Sequence, residues 1–301
     1  MEEVVRNEYI RALETQSQVP LYAESWWLDA ACGHNGWNVL SAPGPHGSIS
    51  LPYQYFKIRG LDTISNPPFT QFLPLIKTGQ VNEIPLENLF QNLPRHSILD
   101  ITIRDSVLFE NATLPKAQLR YSYVLETREG MELIRSKYNA GLRRNVKDAA
   151  DTYDVTESDD VQTLIELCNA TYRARGLKAP AWIAASLPDI TASLIAKKRG
   201  KMKIAWHNGQ PIAGILTGWD DVMRYYLAGG RTSHEGGASA HSLLLDDAIA
   251  DASVHNQNFD FEGSMHPGIA LFFQSFGGKP RELWRIRNYK GFGKLWSLFH
   301  S

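Results

Sequence analysis

Cysteine is scarce in this chain: only Cys32 and Cys168 occur, one in each half, and neither sits in a metal-ligand spacing. That excludes a disulfide framework, argues against a structural metal, and suits a reduced, cytoplasmic protein in which both thiols are small core residues. Long apolar runs are missing too. Nothing approaches the roughly 18 to 20 residues of a membrane span, and the opening MEEVVRNEYIRALETQ lacks the basic start and apolar centre of a secretory signal. Nor is there an excess of one charge, since 31 Lys and Arg face 32 Asp and Glu for a net charge of −1. Bulk attraction to DNA is thereby excluded, although a local patch can still hold an anion. There is no Gly-x-Ser-x-Gly elbow, no His-Glu-x-x-His, no kinase set, no EF-hand loop and no Gly-Lys-Ser/Thr phosphate loop.

The chain does have 301 residues and a 43% hydrophobic share, enough for two packed cores. We place a first domain over 1–130 and a second over 131–301, with the tail from Tyr289 packing back through Tyr289, Phe292, Trp296 and Phe299. Helices are predicted at Asn7–Thr15 and Leu21–Cys32, the latter carrying the packing pair Trp26 and Trp27. Strands at Asn38–Leu40 and Ser48–Ile58 flank a turn at SAPGPHG. Asn66-Pro67-Pro68-Phe69-Thr70-Gln71 is a rigid extended connector and, as local chemistry, a loop. A helix over Glu87–Asn92 and strands at Ser97–Thr102 and Leu119–Glu126 complete this half.

From 131 to 150 five Lys or Arg (135, 137, 143, 144, 147) outnumber two acids (132, 148). Arg143 and Lys147 share a helix face, and Arg144 can pair with Asp148 beside it. This is either a solvated helix face or a clamp for phosphate or carboxylate. Tyr153–Thr156 is then a strand, Asp159 or Asp160 caps a helix through Tyr172, and a further helix runs over Ala181–Lys198.

The richest stretch runs from Lys201 to Asn288. Lys201–Trp206 and Pro211–Trp219 are apolar runs joined by Asn208-Gly209, a hairpin turn. Val222–Ala228 is a third strand. The run Gly229 to Ser239 is predicted as a glycine-rich bend, neither helix nor strand, feeding the helix that holds Leu243, Leu244, Leu245, Ala248 and Ile249. Bare first-turn amides attract anions, and glycines let a phosphate approach, so Gly229, Gly230, Arg231, Gly236, Gly237 and Ser239 are candidate donor-binding residues. Phe259-Asp260-Phe261-Glu262-Gly263-Ser264 alternates, which would set Asp260 and Glu262 on one face. Each is either a partnered structural acid or a general base.

The meander, the glycine loop before a helix, the strand ending DFEGS and the helix GIALFFQSFGG resemble the C-terminal half of the Fem-type aminoacyl transferases of peptidoglycan synthesis, within the GNAT-like N-acyltransferase superfamily. The resemblance runs the whole length. It implies an α+β fold of two tandem GNAT-like domains, each a mixed, mostly antiparallel sheet flanked by helices. It also implies a transferase with Glu262 or Asp260 as base, and Tyr138, Arg143, Arg144, Lys147, Tyr225 and Phe272 near the substrate. The matching basic "Tyr, spacer, Arg-Arg, Lys" segment favours the clamp, at the domain junction, and the family's similar Pro-Pro segment implies that Pro67-Pro68 lines the cleft between the domains. The chain departs from the family in having Phe272 and Phe273 where relatives place a tyrosine or, in tRNA-dependent members, a lysine.

Three readings stay open: an N-acyltransferase using acyl-CoA as co-substrate with no permanently bound cofactor or metal and acting on a small molecule, amino sugar or peptide; a Fem-like enzyme of cell-wall biogenesis using charged tRNA; and a non-catalytic binding module.

Overall fold

The computed structural model describes residues 2–44, 46–79, 81, 86–104, 117–233, 236–263 and 266–294; the predictions at His234, Glu235, Ser264, Trp296 and Phe299 fall outside them. The chain divides into two units, one of Met1–Arg120 with Glu282–Ser301 and the other of Tyr121–Arg281. The first division falls inside a strand, ahead of the expected break at 130, because that strand continues into the second unit's sheet.

The first unit contains α1 (Glu2–Glu14), a 3₁₀ turn (Leu21–Ala23), α2 (Ser25–Cys32), β1 (Trp37–Gly44), β2 (Gly47–Ile58), β3 (Leu61–Ser65), β4 (Ile76–Gly79), α3 (Leu86–Gln91) and β5 (Ile98–Ile103). The predicted turn at SAPG is the end of β1: its residues pair in register with Gly47–Ser50 of β2, and this pairing overrides the low strand propensity of proline and glycine. Trp27 is fully buried and donates its Nε1–H to Thr70 Oγ1 at 2.9 Å, so the tryptophan pair is a packing element.

The second unit contains β6 (Ala117–Leu125, which it shares with the first), α4 (Met131–Lys137), α5 (Ala140–Ala150), β7 (Asp154–Glu157), α6 (Val161–Arg173), α7 (Ala181–Ala196), β8 (Gly200–His207), β9 (Gln210–Trp219), β10 (Met223–Arg231), α8 (Gly237–Val254), β11 (Asn258–Gly263) and α9 (Pro267–Ser275). Then β12 (Lys279–Tyr289) carries the chain back into the first unit. The basic stretch at 131–150 is two helices rather than one: the chain turns at Tyr138, and the Asn139 side chain caps α5 by accepting from the Leu142 amide at 2.7 Å. Asp160 caps α6 in the same way through Thr163.

The fold is α+β, and both sheets follow one plan. In the first, an antiparallel run β1-β2-β3 is followed by β5 parallel to β3 and by β12 antiparallel to β5. In the second, an antiparallel run β7-β8-β9-β10 is followed by β11 parallel to β10 and by β6 antiparallel to β11. Each sheet thus takes its last strand from the other half of the sequence. In each, an apolar cluster packs below the strands: Leu40, Leu51, Ile64, Leu99 and Ile286 are among the first, Leu244, Ile249, Phe259, Phe261 and Phe276 among the second. Among the described residues no helix is long and apolar enough to cross a membrane.

Candidate functional site

In each sheet a parallel strand pair, β3 with β5 and β10 with β11, is held by three register positions, and the two units treat the far end of that pair differently. In the first, Ser65 meets Asp100, and the next residues stitch the gap shut: Asn66 Oδ1 accepts the Thr102 amide at 2.9 Å and the Leu73 amide donates to the Thr102 carbonyl at 2.7 Å. The Pro-Pro segment lies in the chain between these two bonds.

In the second unit β10 and β11 pair at Met223↔Asn258, Arg224↔Phe259 and Tyr225↔Asp260 and then part. A bulge interrupts β10 between Tyr226 and Ala228, and β11 loses its register against β6 between Asp260 and Gly263. Bulges bend strands, and here they open a cleft of about 620 Å³ beyond the carboxyl ends of the two parallel strands. That is where open sheets place ligands. Its walls are Tyr226–Arg231 from β10, Phe261–Gly263 from β11, Ala238 and His241 from α8, Phe272 and Phe273 from α9, and Arg175 after α6.

The two acids of DFEGS part company here. Glu262 has φ +60°, which breaks the strand alternation and turns it into the cleft wall. Asp260 has no exposure; its carboxylate is ion-paired with Arg281 and accepts the Glu262 amide at 2.9 Å. It is therefore a partnered internal acid that fixes the turn presenting Glu262, not a base open to a substrate.

The glycines also sort differently. Gly229 and Gly230 belong to β10 rather than to a loop, because they continue the pairing with β9 at Ile215 and Gly214. Both line the cleft, and a Cβ on Gly229 would lie 2.1 Å from Tyr226 Oη, so the bare position lets that ring fold back over its own strand. Gly236 caps α8 at φ +92° and packs on Tyr153, and Gly237 packs on the Thr232 carbonyl. Among the residues of this turn, Ala238 rather than Gly236, Gly237 or Ser239 reaches the cleft; Ser239 bonds back to the Gly236 carbonyl at 2.8 Å. Arg231, at the end of β10, does line it, and among the described residues neither Arg231 nor Arg175 has a carboxylate partner.

The residues expected beside the substrate mostly lie outside this cleft. Tyr138 is buried, donates to Asp246 at 3.0 Å and packs edge-on against Phe276. Burial and the Asp246 charge push its hydroxyl far above the usual range. Tyr225 is buried and donates to Asp220 at 2.9 Å. Arg143 donates to the Ser136 and Tyr138 carbonyls at the end of α4, while Arg144 and Lys147 are exposed on α5 outside the cleft, and Arg144 makes no ion pair with Asp148. The buried stripe Leu142, Val146 and Ala149 faces the core, so the cationic side is the solvated face. Phe272 alone of this group lines the cleft.

Two cleft residues were not anticipated, Tyr226 and His241. Tyr226 Oη lies 2.9 Å from His241 Nε2, and the imidazole stacks on Phe272 with centroids 6.0 Å apart. Burial, and then Arg231, bring the imidazole down to about 4, so it is neutral at ordinary pH. Burial, then Cys168 and Glu262, push the Tyr226 hydroxyl well up. The available signal was a histidine one turn into a helix, just ahead of the apolar run Leu243–Leu245.

Residues 136–263 match the family model described as an acetyltransferase (GNAT) domain, a span running from α4 to the end of β11. FemX superposes with a TM-score of 0.61 over 98% of this chain and 98% of its own, at 12% identity. A conserved protein of unknown function from Bacteroides thetaiotaomicron gives 0.59 over 96% of this chain and 98% of its own, at 10% identity. The C-terminal domain of a putative lysylphosphatidylglycerol synthetase from Agrobacterium fabrum gives 0.54 over 97% and 94%, at 11% identity. Among curated proteins none matches the sequence. With residues 136–263 matching the GNAT model and FemX superposing over nearly the whole length, the chain has a GNAT-like, Fem-type fold.

Proposed function

We propose that the protein is an N-acyltransferase that takes an acyl group from an acyl-CoA thioester and passes it to an amine of a small molecule, amino sugar or peptide. The observation that carries this reading is the split after Tyr225 and Asp260, which sets Glu262 on one strand across from the length of β10 that ends at Arg231. Such a cleft suits an elongated donor. Arg231, Arg175 and the first turn of α8 at Ala238 would take the diphosphate. The β10 main chain from Leu227 to Gly230 would hold the pantetheine arm and offer an amide to the thioester oxygen, an oxyanion contact typically worth about 10²–10³ in rate. Glu262 would accept a proton from the incoming ammonium, a role that contributes about 10²–10⁴.

A second reading is aminoacyl transfer from charged tRNA, favoured by the end-to-end likeness to FemX. Against it stands Phe273, which is buried and stacked on Phe261 at 5.1 Å where a cation would be wanted.

Thermal shift against acetyl-CoA, longer acyl-CoAs and CoA tests the first reading. A ligand at about 100 times its Kd adds roughly 2.7 kcal/mol, a clear rise in Tm. Retardation of charged tRNA with no response to any CoA would move the assignment to the second reading, and silence toward both would leave a non-catalytic module.

A further inference from the structure

We propose that the first unit holds an oxyanion site, a phosphate group seated between Arg120 and Arg287 beside the Arg285–Asp100 pair, and that this anion helps to tie β12 into its sheet. The inference does not draw on the thioester reading, since all four residues belong to the first unit. Three cations converge there on one acid. Asp100 on β5 stands opposite Arg287 of β12 in the ladder, and Arg285 lies two residues along β12 on the same face. Arg285 takes both carboxylate oxygens, its Nε donating to Oδ1 at 2.5 Å and its Nη2 to Oδ2, while Arg287 Nε donates to Oδ2 at 3.3 Å. Arg120, on β6, has no hydrogen bond or ion pair among the described residues, and its Nε is buried.

Three guanidiniums against one carboxylate leave a local surplus of positive charge, in a chain whose net charge is −1. Arg285 and Arg287 already occupy Asp100. Burial first, and then Arg285 and Arg287, hold the Arg120 guanidinium below its usual range, and among the described residues Asp100 alone acts in the other direction. Water can complete the missing hydrogen bonds, but it cannot cancel the repulsion between like charges. A phosphate group does both. It carries about two negative charges, and its oxygens match the planar forks that Arg120 and Arg287 leave unused. Chloride has the sign but not the geometry to meet two forks. The place is open to a solute, because the side chains of Arg285 and Arg287 are 17% and 25% exposed and that of Asp100 is 26% exposed. With the anion bound, β12 is held by Asp100 on one side and through the phosphate by Arg120 on the other.

Thermal unfolding of the full chain in sodium phosphate and in sodium chloride at equal ionic strength tests this. For wild type Tm should climb with phosphate and bend toward the slow logarithmic rise of a filled site, whereas general exclusion of the salt from the surface gives a straight increase that no single substitution removes. Arg120→Gln should lose the site-specific rise, and in chloride it should melt no lower than wild type, since it removes an unmatched charge. Arg287→Gln should lose most of the rise. Asp100→Asn takes away the competing acid and should lower the phosphate concentration needed by severalfold, a change that a purely structural acid would not produce. Arg231→Ala, in the cleft of the second unit, should keep the rise in full. Phenyl phosphate is run in parallel: a matching rise marks the end group of a phosphate ester as the ligand, and a response to inorganic phosphate alone marks the free ion. The site is overturned, with the donor reading untouched, if wild type shows no phosphate-specific rise, if Arg120→Gln keeps it, or if Arg120→Gln melts well below wild type in chloride. A rise lost in Arg231→Ala and kept in Arg120→Gln assigns the phosphate to the donor cleft and overturns the site as well.

Discussion

Arg281 on β12 closes over the carboxylate of Asp260 on β11, a side chain with no solvent exposure, and also reaches Ser122 Oγ on β6 at 3.3 Å. The same carboxylate accepts the amide of Glu262. One acid of the DFEG strand is therefore internal framework, and it sets the direction of the other.

The two acids should accordingly fail in different ways. Asp260→Ala leaves the Arg281 guanidinium without its internal counter-charge and should cost about 3–5 kcal/mol in urea unfolding. Glu262→Gln should change stability by less than about 1 kcal/mol while lowering turnover roughly a hundredfold or more. A stable, inactive Asp260→Ala would contradict the division of roles.

Gly229→Ala should displace Tyr226, because the new methyl would stand 2.1 Å from the hydroxyl. Overpacking of this kind costs about 1–3 kcal/mol. Loss of CoA affinity together with that destabilisation, measured by calorimetry and urea unfolding, is the expected pair of results.

His241 predicts a pH dependence of stability. Its folded value, about 4, lies below the 6.5 of an unperturbed histidine. Between those values the unfolded chain binds more protons, so stability rises with pH through that window and is lost as pH falls from 6.5 toward 4. The span corresponds to at most about 3 kcal/mol. His96 in the first unit is lowered in the same direction, so the check is the difference between wild type and His241→Gln, whose profile should be flatter.

Removing either cleft cation should weaken donor binding in a salt-dependent way. Arg231→Ala and Arg175→Ala are each expected to raise Kd for CoA about tenfold or more, in line with charge-assisted contacts. Arg143→Ala, by contrast, removes bonds to the Ser136 and Tyr138 carbonyls and should cost about 1 kcal/mol of stability with no change in Kd.

Much of the second unit was legible because periodicity is a local property: the hairpin at Asn208-Gly209, the apolar face of α8 and the strand–helix–strand order after Gln257 come from patterns only a few residues long. The extension of β10 through Gly229 and Gly230 was not, because glycine has no strand propensity and its place is decided by β9 across the ladder. Tyr138 and Tyr225 looked like substrate contacts since a tyrosine's partner is invisible in sequence: Asp246 lies more than a hundred residues beyond Tyr138. The break at Asn139 could have been seen, as asparagine is a favoured helix cap. The separation of Asp260 from Glu262 could not, because it depends on a left-handed backbone at a residue that seldom adopts one.

The exchange of last strands between the sheets also governs how the molecule can be made. During synthesis the first sheet waits for β12, which leaves the ribosome only after the second unit's strands, so the partner of β5 arrives nearly two hundred residues late. Until then β5 has an unsatisfied side open to other chains, and the large sequence separation slows its closure. A cut at residue 130 would give two incomplete proteins, each carrying the piece that the other requires.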